Sequence, residues 1–126
     1  MVFFDIHTHE PKSWPHILNI RHINKFEFTK TNSNFLSIGI HPWDADLYTV
    51  QSLLNILEKH KEQIIAIGEC GIDRIKGPAI NTQIEIFEQQ IHLARQIQLP
   101  VIIHAVKSLS DILNIMKKNS DLTFIF

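Results

Sequence analysis

Four groups of residues in this 126-residue chain have the types and spacing for metal chemistry. Each lies where a short apolar run ends. Met1–Phe4 leads into Asp5-Ile6-His7-Thr8-His9, and Phe35–Ile40 leads into His41. Ile64–Ile67 passes through Gly68 into Glu69, and Pro100–Ile103 leads into His104. On a strand alternate side chains share a face, so Asp5, His7 and His9 are expected to project together. Two imidazoles on one face grip a single metal ion, and a carboxylate beside them joins or orients them. A single H-x-H in a chain with 8 histidines arises readily without function. Ligand-type residues at four strand ends are a different matter, because parallel α/β proteins build their sites there.

Histidine and glutamate together suit Zn²⁺, Mn²⁺ or Fe better than Ca²⁺ or Mg²⁺, although Mg²⁺ can use a carboxylate plus water. A carboxylate can also bridge two metals ~3.5–4 Å apart, which favours displacement at phosphorus or carbonyl carbon. The expected chemistry is therefore hydrolysis by a metal-bound water. No G-x-S-x-G elbow, P-loop or dinucleotide fingerprint is present. Cys70 adjoins Glu69 and would face the other way on a continuing strand, which makes it a buried, inert thiol.

Other candidates have simpler readings. His16 and His22 fall in a poorly patterned stretch and read as surface residues, and His92 reads as solvated. His60 sits in the last turn of a helix, where a cation meets the negative end of the dipole. Asp73 and Arg74 either line a pocket or pair with each other. Trp14 and Trp43 flank proline-containing loops, where framing an aromatic substrate and plain packing are equally good accounts.

The elements that must position these residues alternate between strand and helix. Strands are expected at Val2–Ile6, Phe35–Ile40, Ile64–Ile67, Pro100–Ile103 and Leu122–Phe126, with short candidates at Ile17–Ile20 and Phe26–Phe28. Thr49–His60 carries Val50, Leu53, Leu54 and Leu57 at the spacing of one buried helical face. Asn81 can cap a long helix to about Gln98, with Ile84, Phe87, Ile91, Ala94 and Gln98 along one side. Ser108 with Asp111 resembles a capping box opening a helix over Leu109–Lys118, whose face would be Leu109, Ile112, Leu113 and Met116. Buried strands alternating with helices imply a parallel sheet with helices outside it, either doubly wound or curled towards a (β/α) barrel.

Composition sets the outer limits. The length fits one domain over residues 1–126 with a real core. A net charge of −1, with no basic block beyond Lys117-Lys118, gives no bulk attraction for nucleic acid, so a polyanion would have to be held locally. The lone cysteine excludes an internal disulfide and fits a reducing compartment. Asp5 and His7 interrupt the first apolar stretch, so no signal peptide is expected, and no run approaches the ~18 apolar residues of a membrane span. The expectation is a cytoplasmic enzyme or binding module.

The motifs match a known family. The chain resembles the TatD family of metal-dependent deoxyribonucleases, within the amidohydrolase-like TIM-barrel superfamily. The resemblance rests on Asp5-Ile6-His7-Thr8-His9, Gly39-Ile40-His41-Pro42-Trp43, Gly68-Glu69-Cys70-Gly71-Ile72-Asp73 and Pro100-Val101-Ile102-Ile103-His104, in family order across nearly the whole chain. The helix bearing Gln83, Phe87, Gln90 and Ala94 is also similar to the family's. By this resemblance His7 and His9 bind one metal, Glu69 bridges two, and His104 binds the second. It further implies that His41 helps hold the scissile phosphate, that Asp73 supports the Glu69 loop, and that DNA is the substrate with Mg²⁺, Mn²⁺ or Zn²⁺ as cofactors.

Two departures from the family pattern stand out. An arginine usually follows the histidine of the Pro100–His104 segment; here Ala105 and Val106 lead to Lys107, a phosphate-binding cation that is not bidentate. The second is length, since a (β/α)₈ barrel takes about 250 residues. The expectation is an incomplete barrel of five or six strands, the amino-terminal part of a larger enzyme. The family's later histidine and final aspartate ligands are absent, and the edge at Leu122–Phe126 is open to self-association. The rival readings are another superfamily hydrolase acting on amides, lactones or phosphotriesters, and a non-catalytic metal-binding remnant. A homodimer of half-barrels is disfavoured, because it would duplicate the same ligands.

Overall fold

The computed structural model describes residues 35–126 throughout, together with the backbones of strands Phe3–Thr8 and Ile17–Ile23. These two strands are β1 and β2. They are followed by β3 (Phe35–Ile38), α1 (Val50–His60), β4 (Ile64–Asp73), α2 (Ile80–Ile97), β5 (Val101–Val106), α3 (Leu109–Lys118) and β6 (Phe124–Ile125). The six strands form one sheet in the order β1-β2-β3-β4-β5-β6, with every neighbouring pair parallel. A doubly wound sheet would reverse its order at a switch point. This sequential order is that of the (β/α) barrel type, which has eight strands when closed.

The continuous apolar runs form the centre of the sheet because both of their faces are covered. Ile64, Ala66, Ile67, Val101, Ile102 and Ile103 are all buried. Phe87, Ile91 and Ala94 of α2 and Leu53 and Leu57 of α1 pack into the same core. Parallel strands put all their carboxyl ends along one edge, so β3, β4 and β5 deliver their last residues to a common place.

Several local expectations are corrected. β4 runs on through Gly68 to Asp73, beyond the expected end at Ile67. Gly68 is what permits this: its φ is +134°, and a Cβ there would collide with the Ile102 carbonyl oxygen. The β4–β5 register shifts between Ile67 and Cys70, so the strand bulges there and resumes with Gly71 opposite His104. β5 likewise continues past His104 to Val106. The expected strand at Phe26–Phe28 lies outside the described residues.

Helix ends differ too. α2 starts at Ile80 behind Ala79, with no side-chain cap from Asn81. Ser108 stands at the start of α3, but its hydroxyl donates to the Ile72 carbonyl at 2.6 Å instead of capping. Asp111 pairs with Arg74 at 2.8 Å, so the capping box does not form and Arg74 is not the partner of Asp73. α3 buries Ile112 and Ile115 and leaves Leu109 and Leu113 exposed. The buried face is thus turned towards Ile115, which the expected stripe leaves out.

Cys70 is fully buried, with its thiol directed at the Ile102 carbonyl. Burial, and then the neighbouring Glu69 charge, push its pKa far above the ordinary thiol range. Iodoacetamide at pH 8 is therefore expected to leave the folded chain unmodified and to label it only under denaturing conditions. Rapid labelling in native buffer would contradict this burial.

Candidate functional site

His41, Glu69 and His104 bring one ligand atom each within 4.8 Å of one another. The three come from different strands, and each is placed by a specific local device. His41 follows β3 and stands at the start of a 3-10 turn, Pro42–Asp44, where proline suits the first helical position. Glu69 sits at the bulge of β4. His104 is the fourth residue of β5.

The backbone behind this cluster is clamped by α2. Gln90 is completely buried, accepts from the Ile40 amide at 2.7 Å and donates to the Ile40 carbonyl at 3.1 Å. Gln83 does the same for Asp73, accepting from its amide at 2.8 Å and donating to its carbonyl at 3.1 Å. Gln83 also donates to the Pro78 carbonyl at 2.8 Å, tying down the loop after β4. Both glutamines lie on the helix that resembles the family's, and no local pattern assigns them a partner. The available sign was two amides seven residues apart on an otherwise apolar face.

Asp73 holds the cluster from the side. Its Oδ1 accepts from the amides of Ile75 and Lys76 at 2.8 and 3.0 Å. Its Oδ2 accepts from Trp43 Nε1 at 2.7 Å and faces His104 Nε2 at 3.2 Å. Burial works to raise the Asp73 pKa, but these four hydrogen bonds outweigh it and hold the carboxyl at about 2. Asp73 is thus a carboxylate at neutral pH, and the Nε2–H of His104 donates to it.

That bond decides what the other His104 nitrogen can do. With Nε2 protonated, a neutral ring presents a lone pair at Nδ1, and this atom lies 2.8 Å from Glu69 Oε1. Two acceptors at that distance repel unless a positive centre sits between them. Burial opposes the His104 cation, but Glu69 and Asp73 outweigh it and raise its pKa. A divalent cation would supply the positive centre, and carboxylate–histidine–metal relays are built this way. The donor set therefore fits a metal ion.

His41 is wired differently. Its Nδ1 accepts from the Trp43 amide at 3.3 Å, so in the neutral ring Nε2 carries the proton. Nε2 lies 3.2 Å from His104 Nδ1 and 4.0 Å from Glu69 Oε2. As a donor His41 suits an anionic oxygen at the cluster better than it suits a metal.

Of the other expected site residues, only Lys107 has a described side chain. His7 belongs to β1, near its carboxyl end, while His9 lies outside the described residues. Lys107 follows β5 with a φ of 50°, exposed, and takes no part in the hydrogen bonds of the cluster among the described residues. His92 is exposed, as expected. Among the described residues no helix is long and apolar enough to cross a membrane.

The chain is similar to several known proteins. A family described as TatD-related DNase matches residues 5–126. A metal-dependent hydrolase of Methanocaldococcus jannaschii is 31% identical over 104 residues, covering 81% of this chain and 41% of the relative. The metal-dependent hydrolase YabD of Bacillus subtilis is 39% identical over 87 residues, covering 67% of this chain and 34% of the relative. A protein of Pantoea sp. named as the 3′-5′ ssDNA/RNA exonuclease TatD is 38% identical over 69 residues, with 52% and 26% covered. The chain thus spans less than half the length of the curated relatives it matches.

Proposed function

Because the chain belongs to the TatD-related DNase family, we propose that it acts in metal-dependent hydrolysis of phosphodiester bonds in DNA. The observation that carries this is the 2.8 Å approach of His104 Nδ1 to Glu69 Oε1, with His104 Nε2 held by Asp73. A carboxylate and an imidazole lone pair converge there on a point that demands positive charge. The names of the relatives, metal-dependent hydrolases and a nuclease acting on DNA and RNA, support the same chemistry.

In this reading His7, His9, Glu69 and His104 would hold the metal, with Glu69 shared between two ions. The ions, Mg²⁺, Mn²⁺ or Zn²⁺, supply an activated water and neutralise charge at phosphorus. Asp73 keeps the His104 proton on Nε2 and so keeps Nδ1 free to ligate. His41 directs its Nε2–H at a phosphate oxygen, and Lys107 gives a second cation for the backbone. The lone, buried Cys70 suits the reducing conditions of a cytoplasmic protein.

The test is cleavage of an end-labelled single-stranded oligodeoxynucleotide with Mg²⁺ or Mn²⁺, run beside hydrolysis of a small aryl ester. The expected result is shortening of the DNA that stops with EDTA. Ester hydrolysis without DNA cleavage would assign the chain to a different superfamily chemistry. Metal retention without either activity would make it a binding remnant.

A further inference from the structure

Trp43 stands at the rim of the cluster with 41% of its surface exposed. It is nevertheless fixed in place. Its indole N–H is held by Asp73, and its ring meets His41 edge-on with centroids 4.7 Å apart. The remaining cover is the side chain of Lys76, whose ammonium lies 3.5 Å from the ring centroid. Gly77 makes that approach possible: its φ is +102°, and a Cβ there would stand 3.1 Å from Trp43 Cα and 2.9 Å from the Pro42 carbonyl oxygen. If the only task were to orient Asp73, the N–H would suffice and the indole could be buried. Instead a large π surface is presented beside the reacting centre, capped by a long, exposed, strongly hydrated cation.

We infer that Trp43 is a stacking platform for a nucleobase at the mouth of the site, and that Lys76 leaves the indole for a phosphate when the base arrives. This rests on the nuclease reading above and adds how the strand is held. A base on Trp43 places its own nucleotide's phosphate within reach of the His41 imidazole, because the two rings touch. Every base has a π face, so the platform adds affinity without selecting sequence. The cation exchanges one favourable contact for another, so the indole is covered until a strand displaces it.

Two phosphorothioate hexamers, one of thymidine and one abasic on the same backbone, separate stacking from all other roles when each is titrated in Mg²⁺. The wild-type chain is expected to bind the thymidine hexamer on the order of tenfold more tightly than the abasic one. Trp43→Ala should bring that ratio near one, while Trp43→Phe, which keeps a ring but loses the N–H to Asp73, should retain most of it. A ratio cancels damage transmitted through Asp73. Lys76→Ala should lower the slope of log affinity against log salt by about 0.7, the value of one phosphate contact on a single strand.

A ratio that survives Trp43→Ala, or that Trp43→Phe abolishes as fully as alanine does, overturns the platform. Equal binding of both hexamers by the wild-type chain overturns it too and leaves the nuclease reading standing. Binding of neither hexamer overturns both.

Discussion

Glu69→Gln is expected to remove metal from the folded chain altogether, weakening binding at least about 100-fold, the upper end of losses from merely supporting residues. The substitution keeps the shape of the side chain and deletes its charge. It also turns one of two facing acceptors into a neutral amide, so the point between Oε1 and His104 Nδ1 no longer demands a cation. Metal per chain, measured after dialysis against buffer alone, is the readout. Continued protection of Cys70 from alkylation would show that the fold is intact, since that thiol lies one residue away inside the core. Unchanged metal content in the variant would sink the bridging role of Glu69.

The second large effect comes from a residue that touches no substrate. Gln90→Leu keeps volume and burial but leaves the amide and carbonyl of Ile40 without their partners. Orphaned buried groups cost ~1–3 kcal/mol each, so the variant is expected to lose about 2–6 kcal/mol of stability in urea unfolding. Because Ile40 immediately precedes His41, the geometry of the cluster should loosen as well. Gln89→Leu, on the exposed face of the same helix, is the control and should shift stability by no more than ~0.5 kcal/mol. If the two variants behave alike, the clamp is not what positions His41.

These two residues also mark the boundary of what can be read from sequence. Glu69 was legible because it follows an apolar run, as His41 and His104 do, and parallel strands must end on a common edge. The alternation of runs and helical stripes likewise determined the sheet type, and the helices over 109–118 and 50–60 fall where their spacing puts them, to within one residue. Periodicity acts locally, within a few residues, and that is enough to specify such elements.

Gln90 was not legible in the same way. An amide on an apolar stripe has no partner in sequence terms; its partner is Ile40, 50 residues away. The same holds for the hydroxyl of Ser108, which local chemistry assigns to a helix cap and which the packed chain gives to Ile72. Arg74 was expected to have Asp73 as a possible partner, and tertiary packing gave it Asp111. Asp73 was thereby left to Trp43 and His104. The residue types and their order along the strands were determined by the sequence alone. Which nitrogen of His104 faces Glu69, and which of His41 is turned into the cluster as a donor, was decided only by tertiary structure. A histidine's tautomer follows from the partner of its other nitrogen, and that partner is supplied by a different strand or loop.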